Sequence, residues 1–181
     1  MSEIAIIGGG AWGTGIAIVL GRKGTHHVRL WAHEIDVCES ITQKRLNERF
    51  LPGRTIPESV TASNDLDVTL RGAQIVVSVM PSQHCRALFE RMRPLVPKNA
   101  LIVSATKGLE EGSLQRMTEV IAQVMKRQSG PDSAVGALSG PSFAQEVARG
   151  DPTAITIASQ DGALLRAVQQ SLNGPPVGAA A

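Results

Sequence analysis

The run Ile4-Ala5-Ile6-Ile7-Gly8-Gly9-Gly10-Ala11-Trp12-Gly13 limits what this 181-residue chain can fold into more than any other stretch. Four apolar residues in a row, stopped by glycines, read as a short strand buried on both faces. From Ala11 to Lys23 the apolar residues Ile16, Val19 and Leu20 fall on one helical face, and Gly24 supplies the stop. Val28 to Trp31 reads as a second strand. Strand, helix and strand within about thirty residues make a βαβ unit of a parallel sheet. Gly8, Gly10 and Gly13 sit at its first turn, in the spacing G-x-G-x-x-G. Gly8 permits the tight turn, Gly10 lets a pyrophosphate approach the backbone, and Gly13 lets the helix close on the strand. The N–H groups and positive end of the helix then suit an anion.

The alternation continues along the chain. A helix is expected over Ile35 to Leu46, with Ile35, Cys38, Ile41 and Leu46 inward, and strands over Ile75 to Val79 and Ala100 to Ser104. Between those strands Cys85, Leu88, Phe89 and Met92 fall at helical spacing. Leu114, Met117, Ile121 and Val124 mark a helix that Ser113 would cap. Strands at Ala134 to Leu138 and Thr153 to Ala158 enclose a helix near Ser142 to Ala148, and Asp161 to Leu172 is the last helix. Leu46 to Ser63 reads as an ordered loop over the sheet edge. This order predicts an α/β fold with a doubly wound, mostly parallel Rossmann-type sheet, as one domain over residues 1–172. Residues 173–181, rich in Gly, Pro and Ala, read as a disordered tail or truncation end.

Composition excludes several function classes. With 18 basic and 16 acidic residues, a net charge of +2 and no block of either sign, there is no electrostatic footprint for nucleic acid or an anionic membrane. Three Phe, two Trp and no Tyr leave no stacking platform for single strands. The longest apolar stretch is broken by glycines, so no membrane insertion is expected. Two distant cysteines, Cys38 and Cys85, fit neither a disulfide framework nor a metal site, and a cytoplasmic protein is expected.

The tip of the second strand should meet the adenosine ribose about twenty residues beyond the glycines. That position is His33, followed by Glu34. A histidine can donate to a 2′-phosphate and a glutamate can accept from a 2′-hydroxyl, so NAD and NADP both stay open as the cofactor. A solvated surface histidine fits the same position.

Six motifs in order carry a family resemblance: Gly8 to Thr14 (GGGAWGT), Leu30 to His33 (LWAH), Asn47 to Gly53 (N-x-x-F-L-P-G), Met80 to Ser82 (MPS), Ala105 to Leu109 (ATKGL) and Ser139 to Ala144 (SGPSFA). From Ile4 to about Leu172 the chain resembles the N-terminal domain of bacterial NAD(P)-dependent glycerol-3-phosphate dehydrogenases. The resemblance implies reversible hydride transfer between NAD(P)H and dihydroxyacetone phosphate, giving sn-glycerol 3-phosphate for phospholipid synthesis. It places Ala11 and Trp12 on the cofactor phosphates, His33 at the ribose, and Lys107 on both cofactor and substrate. Gly140 and Ser142 then line the substrate site and Ala144 contacts the cofactor. Pro81 and Ser82 read as shaping the cofactor floor, and a structural turn explains them equally well. Lys107 follows a strand at its carboxyl end, where an ammonium can polarise an oxygen or hold a phosphate. A plain turn with Ser142 as N-cap is compatible with the role of the Ser139–Ser142 segment.

The resemblance also marks departures. The family's second, helical domain carries the lysine that moves the proton of the C2 hydroxyl, and the residues from Asn173 to Ala181 do not resemble its start. Such a residue contributes roughly 10²–10⁴-fold in rate. The expected alternatives are therefore the dehydrogenase and a non-catalytic dinucleotide-binding module of the same family. A homodimer is open, and no metal is expected. A ketopantoate or 6-phosphogluconate-type reductase is disfavoured by ATKGL together with SGPSFA. Gly15 stands inside the first helix where alanine is expected, at about 1 kcal/mol in helix stability.

Overall fold

The computed structural model describes residues 1–126, 133–140, 142–174 and 177–180. In chain order these form β1 (Ser2–Ile7), α1 (Ala11–Arg22), β2 (His26–Trp31), α2 (Ile35–Lys44), β3 (Leu46–Asn47), β4 (Leu51–Thr55) and β5 (Val60–Ser63). They continue with α3 (Leu66–Leu70), β6 (Ile75–Ser78), α4 (Cys85–Met92), β7 (Leu101–Ser104) and α5 (Met117–Met125). The last are β8 (Val135–Ser139), α6 (Ala144–Arg149), β9 (Thr153–Ala158), α7 (Gly162–Leu172) and β10 (Val177–Ala180). Eight strands join in the order β10-β9-β8-β7-β6-β1-β2-β5, parallel throughout except for β8 against β9. β1 is central, and the chain winds away from it on both sides, as the sequence predicts.

The period of two along β1 explains the layers. Ile4 and Ile6 enter one core with Ile16, Leu20, Val147 and Leu164 from α1, α6 and α7. Ala5 and Ile7 enter the other with Leu70, Phe89 and Ile121 from α3, α4 and α5. Both faces are dry, so the strand carries no polar alternation. Each fully buried Ile contributes about 1.5–3 kcal/mol. Cys38 and Cys85 are buried, unpaired thiols, one in each core.

Four expectations are corrected. The stretch Leu46 to Ser63 is not only a loop: β3 and β4 pair antiparallel, and β5 joins the main sheet as the edge beside β2. Short strands interrupted by Pro52 and Gly53 carry too little periodicity to read. Ile35 is exposed rather than inward, because it lies about 110° round α2 from the mean of Val37, Cys38 and Ile41. Ser113 does not cap α5. The backbone doubles back through Leu114 at positive φ, Leu109 bridges Arg116, and the helix starts only at Met117, with Glu119 accepting from the Arg116 N–H. Finally, Val177–Ala180 pairs in parallel with Thr153–Thr156 rather than lying free. An edge pairing uses backbone N–H and C=O groups, which small side chains do not impair. Residues 175, 176 and 181 of that expected tail lie outside the described residues.

At the amino-terminal edge of the sheet, Lys23 closes the end of α7 by donating to the carbonyls of Gln170, Ser171 and Asn173. His26 is buried beside it. Burial first, then the Lys23 ammonium and the chain's amino terminus, hold the imidazole below its ordinary 6.5, against a smaller opposing pull from the Ser171 backbone. The unfolded chain therefore takes up this proton before the folded one does. The stability tied to neutral His26 is complete above 6.5 and is lost as pH falls through the lower folded value. Urea midpoints measured from pH 7.5 down to 5 should decline less in His26→Gln than in the parent chain; equal slopes would show that His26 contributes nothing.

Candidate functional site

The site is built at the carboxyl ends of the parallel strands. Next to β1 the winding reverses: β2 lies on one side and β6 on the other. Ligands of open α/β sheets bind at such a reversal. The turn from β1 into α1 is held by two backbone approaches that admit no side chain. A Cβ on Gly13 would lie 1.9 Å from the Gly8 carbonyl oxygen, and one on Gly8 would lie 1.9 Å from the Val79 oxygen, at a φ of +131°. Gly10 is different. It has an ordinary φ of −68° as N-cap of α1, with no side-chain cap, and a Cβ there would meet nothing within 4 Å. The first and third motif glycines are thus explained by packing. The second keeps a space open in front of the helix start.

That space leads into two clefts that share Gly10, Val79 and Met80. One, of about 400 Å³, is lined by Ala11, Trp12, Gly13, Lys107, Ser142 and Ala144, together with Ala105, Thr106 and Phe143. The other, of about 530 Å³, runs over Gly8 and Gly9 to His33, Glu34, Phe50 and Pro81. Two compartments meeting at a helix N-terminus match a ligand of two nucleoside halves joined through phosphates. The tips of the strands are tied to each other. Thr106 Oγ1 donates to the Ser78 carbonyl at 3.3 Å and accepts from the Met80 N–H at 3.2 Å.

Lys107 is exposed on the loop that follows β7, and Gly108 beside it takes a φ of +103°. The loop is anchored from α4. Arg86 donates to both carboxylate oxygens of Glu110, at 2.7 and 2.9 Å, and Ser113 donates to the same group at 2.6 Å. The Arg86 guanidinium first, then the Ser113 hydroxyl, bring the Glu110 carboxyl down to about 2. It is ionised at any physiological pH, so both partners of the anchor carry their charge there.

The structure brings Gly10, Ala11, Trp12, Gly13, Lys107, Ser142 and Ala144 around one cleft and Gly8, Gly10, His33 and Pro81 around the other. Gly140 lines neither. A Cβ there would stand 2.9 Å from the Ala154 carbonyl oxygen, so its small size is accounted for by close passage over β9. Pro141 lies outside the described residues. Ser142 is not an N-cap, a position held by Phe143 at the start of α6. Ser82 stands near Gly108 rather than on the cleft floor, its Oγ 3.2 Å from where a Cβ would be. Gly15 has a packing reason as well: a Cβ would meet the Ala144 carbonyl oxygen at 3.3 Å. Glycine lets α6 bring Ala144 down to the cleft. Sequence reasoning missed the second cleft's outer wall, namely Phe50, Ala87, Leu88, His84 and Arg91. The motif Asn47–Gly53 was the available signal for Phe50; the α4 residues showed only helical spacing.

An open α/β sheet with a glycine turn at the reversal and a two-part cleft over it defines a Rossmann-type dinucleotide-binding domain. Comparison with known proteins narrows this class. The family model described as NAD-dependent glycerol-3-phosphate dehydrogenase N-terminus matches residues 3–165. The chain belongs to that family, as its NAD-binding N-terminal domain. It is 53% identical over 175 residues to glycerol-3-phosphate dehydrogenase [NAD(P)+] of Koribacter versatilis, covering 97% of this chain and 51% of the relative. The corresponding protein of Acidobacterium capsulatum is 46% identical over 173 residues, covering 94% of this chain and 51% of the relative. The crystal structure of glycerol-3-phosphate dehydrogenase from Coxiella burnetii superposes with a TM-score of 0.90 at 35% identity, over 98% of this chain and 53% of that one. The chain therefore spans about half the length of the relatives it matches. Among the described residues no helix is long and apolar enough to cross a membrane.

The two kinds of motif glycine should separate in a melting experiment. Gly13→Ala forces a Cβ into the backbone and should lower stability by about 3 kcal/mol, or roughly 6–12 °C in Tm. Gly10→Ala enters open space and should remain within about 1 kcal/mol of the parent. A Gly13→Ala chain as stable as the parent would refute the close packing.

Proposed function

We propose that this chain is the cofactor-holding half of a glycerol-3-phosphate dehydrogenase. In this reading NAD(H) or NADP(H) lies across the two clefts with its pyrophosphate over Gly10, and Lys107 is presented to dihydroxyacetone phosphate or sn-glycerol 3-phosphate. The observation that carries it is the open space at Gly10, flanked by Gly8 and Gly13, whose small size packing alone explains. At Gly10 packing makes no such demand, and the room matches what a pyrophosphate needs.

When bound, the nicotinamide would supply or accept the hydride. The chain's own residues do the rest. The first turn of α1 offers N–H groups that have no partner within the helix, and these suit the phosphates. Trp31, Phe50 and Leu88 give the second cleft apolar walls for an adenine, and His33 with Glu34 stands at its rim for the ribose. The edge carries both donors and an acceptor, so it serves either cofactor. Lys107, held on a loop anchored by Arg86 and Glu110, places a positive charge beside the cleft where oxygen charge develops during reduction of a carbonyl. Ser142, at the foot of α6, offers a hydroxyl to the same compartment. The chain spans about half the length of its relatives, so in this reading proton transfer at C2 is left to the other half of such an enzyme. Carriage of glycerol 3-phosphate toward phospholipid synthesis and a homodimeric assembly belong to the whole-protein reading.

Trp12 lines one cleft and Trp31 the other, and the chain has no further tryptophan. Titration with NADH and NADPH should therefore quench the intrinsic fluorescence in a saturable way. Gly10→Ala should weaken binding at least about tenfold while the chain stays folded, since a methyl group would occupy the phosphate space. Dihydroxyacetone phosphate added to the complex should oxidise bound NADH roughly 10²–10⁴-fold more slowly than an enzyme with its proton donor. Absence of binding by the folded parent chain would overturn the reading. Oxidation at full enzymatic rate would show that residues 1–181 supply the proton themselves.

A further inference from the structure

Asn47 is fully buried in a segment that reads as a surface excursion, and every polar atom of its side chain is engaged. Its Nδ2 donates to the Gly9 carbonyl at 2.8 Å and to Thr14 Oγ1 at 2.8 Å. Its Oδ1 accepts from the Phe50 N–H at 3.1 Å. Thr14, also fully buried, adds a second donor to the Gly9 carbonyl at 3.3 Å and gives its own N–H to the Gly10 carbonyl. One amide thus reaches the glycine turn, the first turn of α1 and the wall of the second cleft.

We propose that Asn47, with Thr14, is the positioning residue that sets the cofactor turn, an assignment that rests on the dinucleotide reading above. A peptide unit is planar and trans, so its C=O and N–H point in opposite directions. Two donors that hold the Gly9 carbonyl into the protein therefore turn the Gly10 N–H outward, to the side where the clefts meet. Without them the Gly9–Gly10 peptide, flanked by glycines, has little to resist rotation, since glycine populates both signs of φ. The same amide closes the turn over residues 47–50 and so fixes Phe50. Asparagine suits this place because it presents two N–H donors and an acceptor at once. Aspartate has the same shape and keeps the acceptor for Phe50 but cannot donate to Gly9 or Thr14. A leucine of similar size would leave the Gly9 carbonyl buried with less than its full complement of donors.

That difference makes the role testable with two probes, ADP-ribose, which carries the pyrophosphate, and adenosine, which does not. For the 181-residue chain, Asn47→Asp should weaken ADP-ribose about tenfold or more, the worth of a lost hydrogen bond to a group that must stay oriented. Adenosine affinity should stay within about twofold, because Phe50 keeps its acceptor. Thr14→Val should lose ADP-ribose affinity in the same direction and Thr14→Ser, which retains the hydroxyl, should restore it. If Asn47→Asp fails to melt cooperatively, the Thr14 pair decides. Folded variants that bind ADP-ribose as the parent does would overturn the proposal, and so would equal losses for both probes, which mark general loosening. A parent chain that binds neither probe would bring down the dinucleotide reading and this assignment together.

Discussion

The cofactor face depends on one close contact, the seating of the first turn of α1 against the turn that leaves β1. Gly13 lies so near the Gly8 carbonyl, and Gly8 so near Val79, that any side chain would separate helix from strand. With the helix seated, its N-terminus points over the central strand, and the positive end of its peptide dipoles faces the space in front of Gly10. The buried amide of Asn47 completes the seat from the other side. The strand tips on either side, carrying Glu34, Pro81 and Lys107, take their places relative to this turn because parallel pairing fixes their register.

A second constraint acts farther from the glycines. α6 packs across α1 with Ala144 above Gly15, and this brings the Ser142–Ala144 segment to the first cleft. The loop bearing Lys107 is fixed from the opposite core face by the Arg86–Glu110 pair. The pair is partly exposed and is worth little as stabilisation by itself. Its geometry is bidentate, however, and its effect is on where the loop sits. The cleft is therefore assembled from segments far apart in the chain, residues 10–13, 79–80, 105–107 and 142–144, each held by a local device.

The sheet's central strands and the glycine turn were legible because they carry strong, local patterns: apolar runs for β1, β6 and β7, and fixed glycine spacing. β3, β4 and β5 were not, since two to five residues around Pro52 and Gly53 show no period. Gly15 looked like a defect on helix propensity and proved to be a contact, visible only once α6 is placed over α1. Ser113 and Ser142 had the right chemistry for caps, yet Leu114 at positive φ and Phe143 as the actual N-cap moved both helix starts. Among candidate site residues, most of those in contiguous motifs came together around the clefts, whereas Gly140 and Ser82 stand off them. Arg91, His84 and Leu88 could not be named as site residues, because only the tertiary fold brings α4 and the turn before it to the second cleft. Asn47 stood inside a recognised motif, but its function depends on Gly9 and Thr14, more than thirty residues away.

In the proposed reading, a preformed two-part cleft over the glycine turn receives the dinucleotide. Amide chemical shifts of the nitrogen-15-labelled chain, followed during addition of NADH, test it most directly. The largest changes are expected at Gly10 to Gly13, with further changes at His33, Phe50 and Lys107, and none at His26 or Gln170 on the far edge of the sheet. Shifts centred away from the glycine turn, or no shifts at saturating NADH, would contradict it.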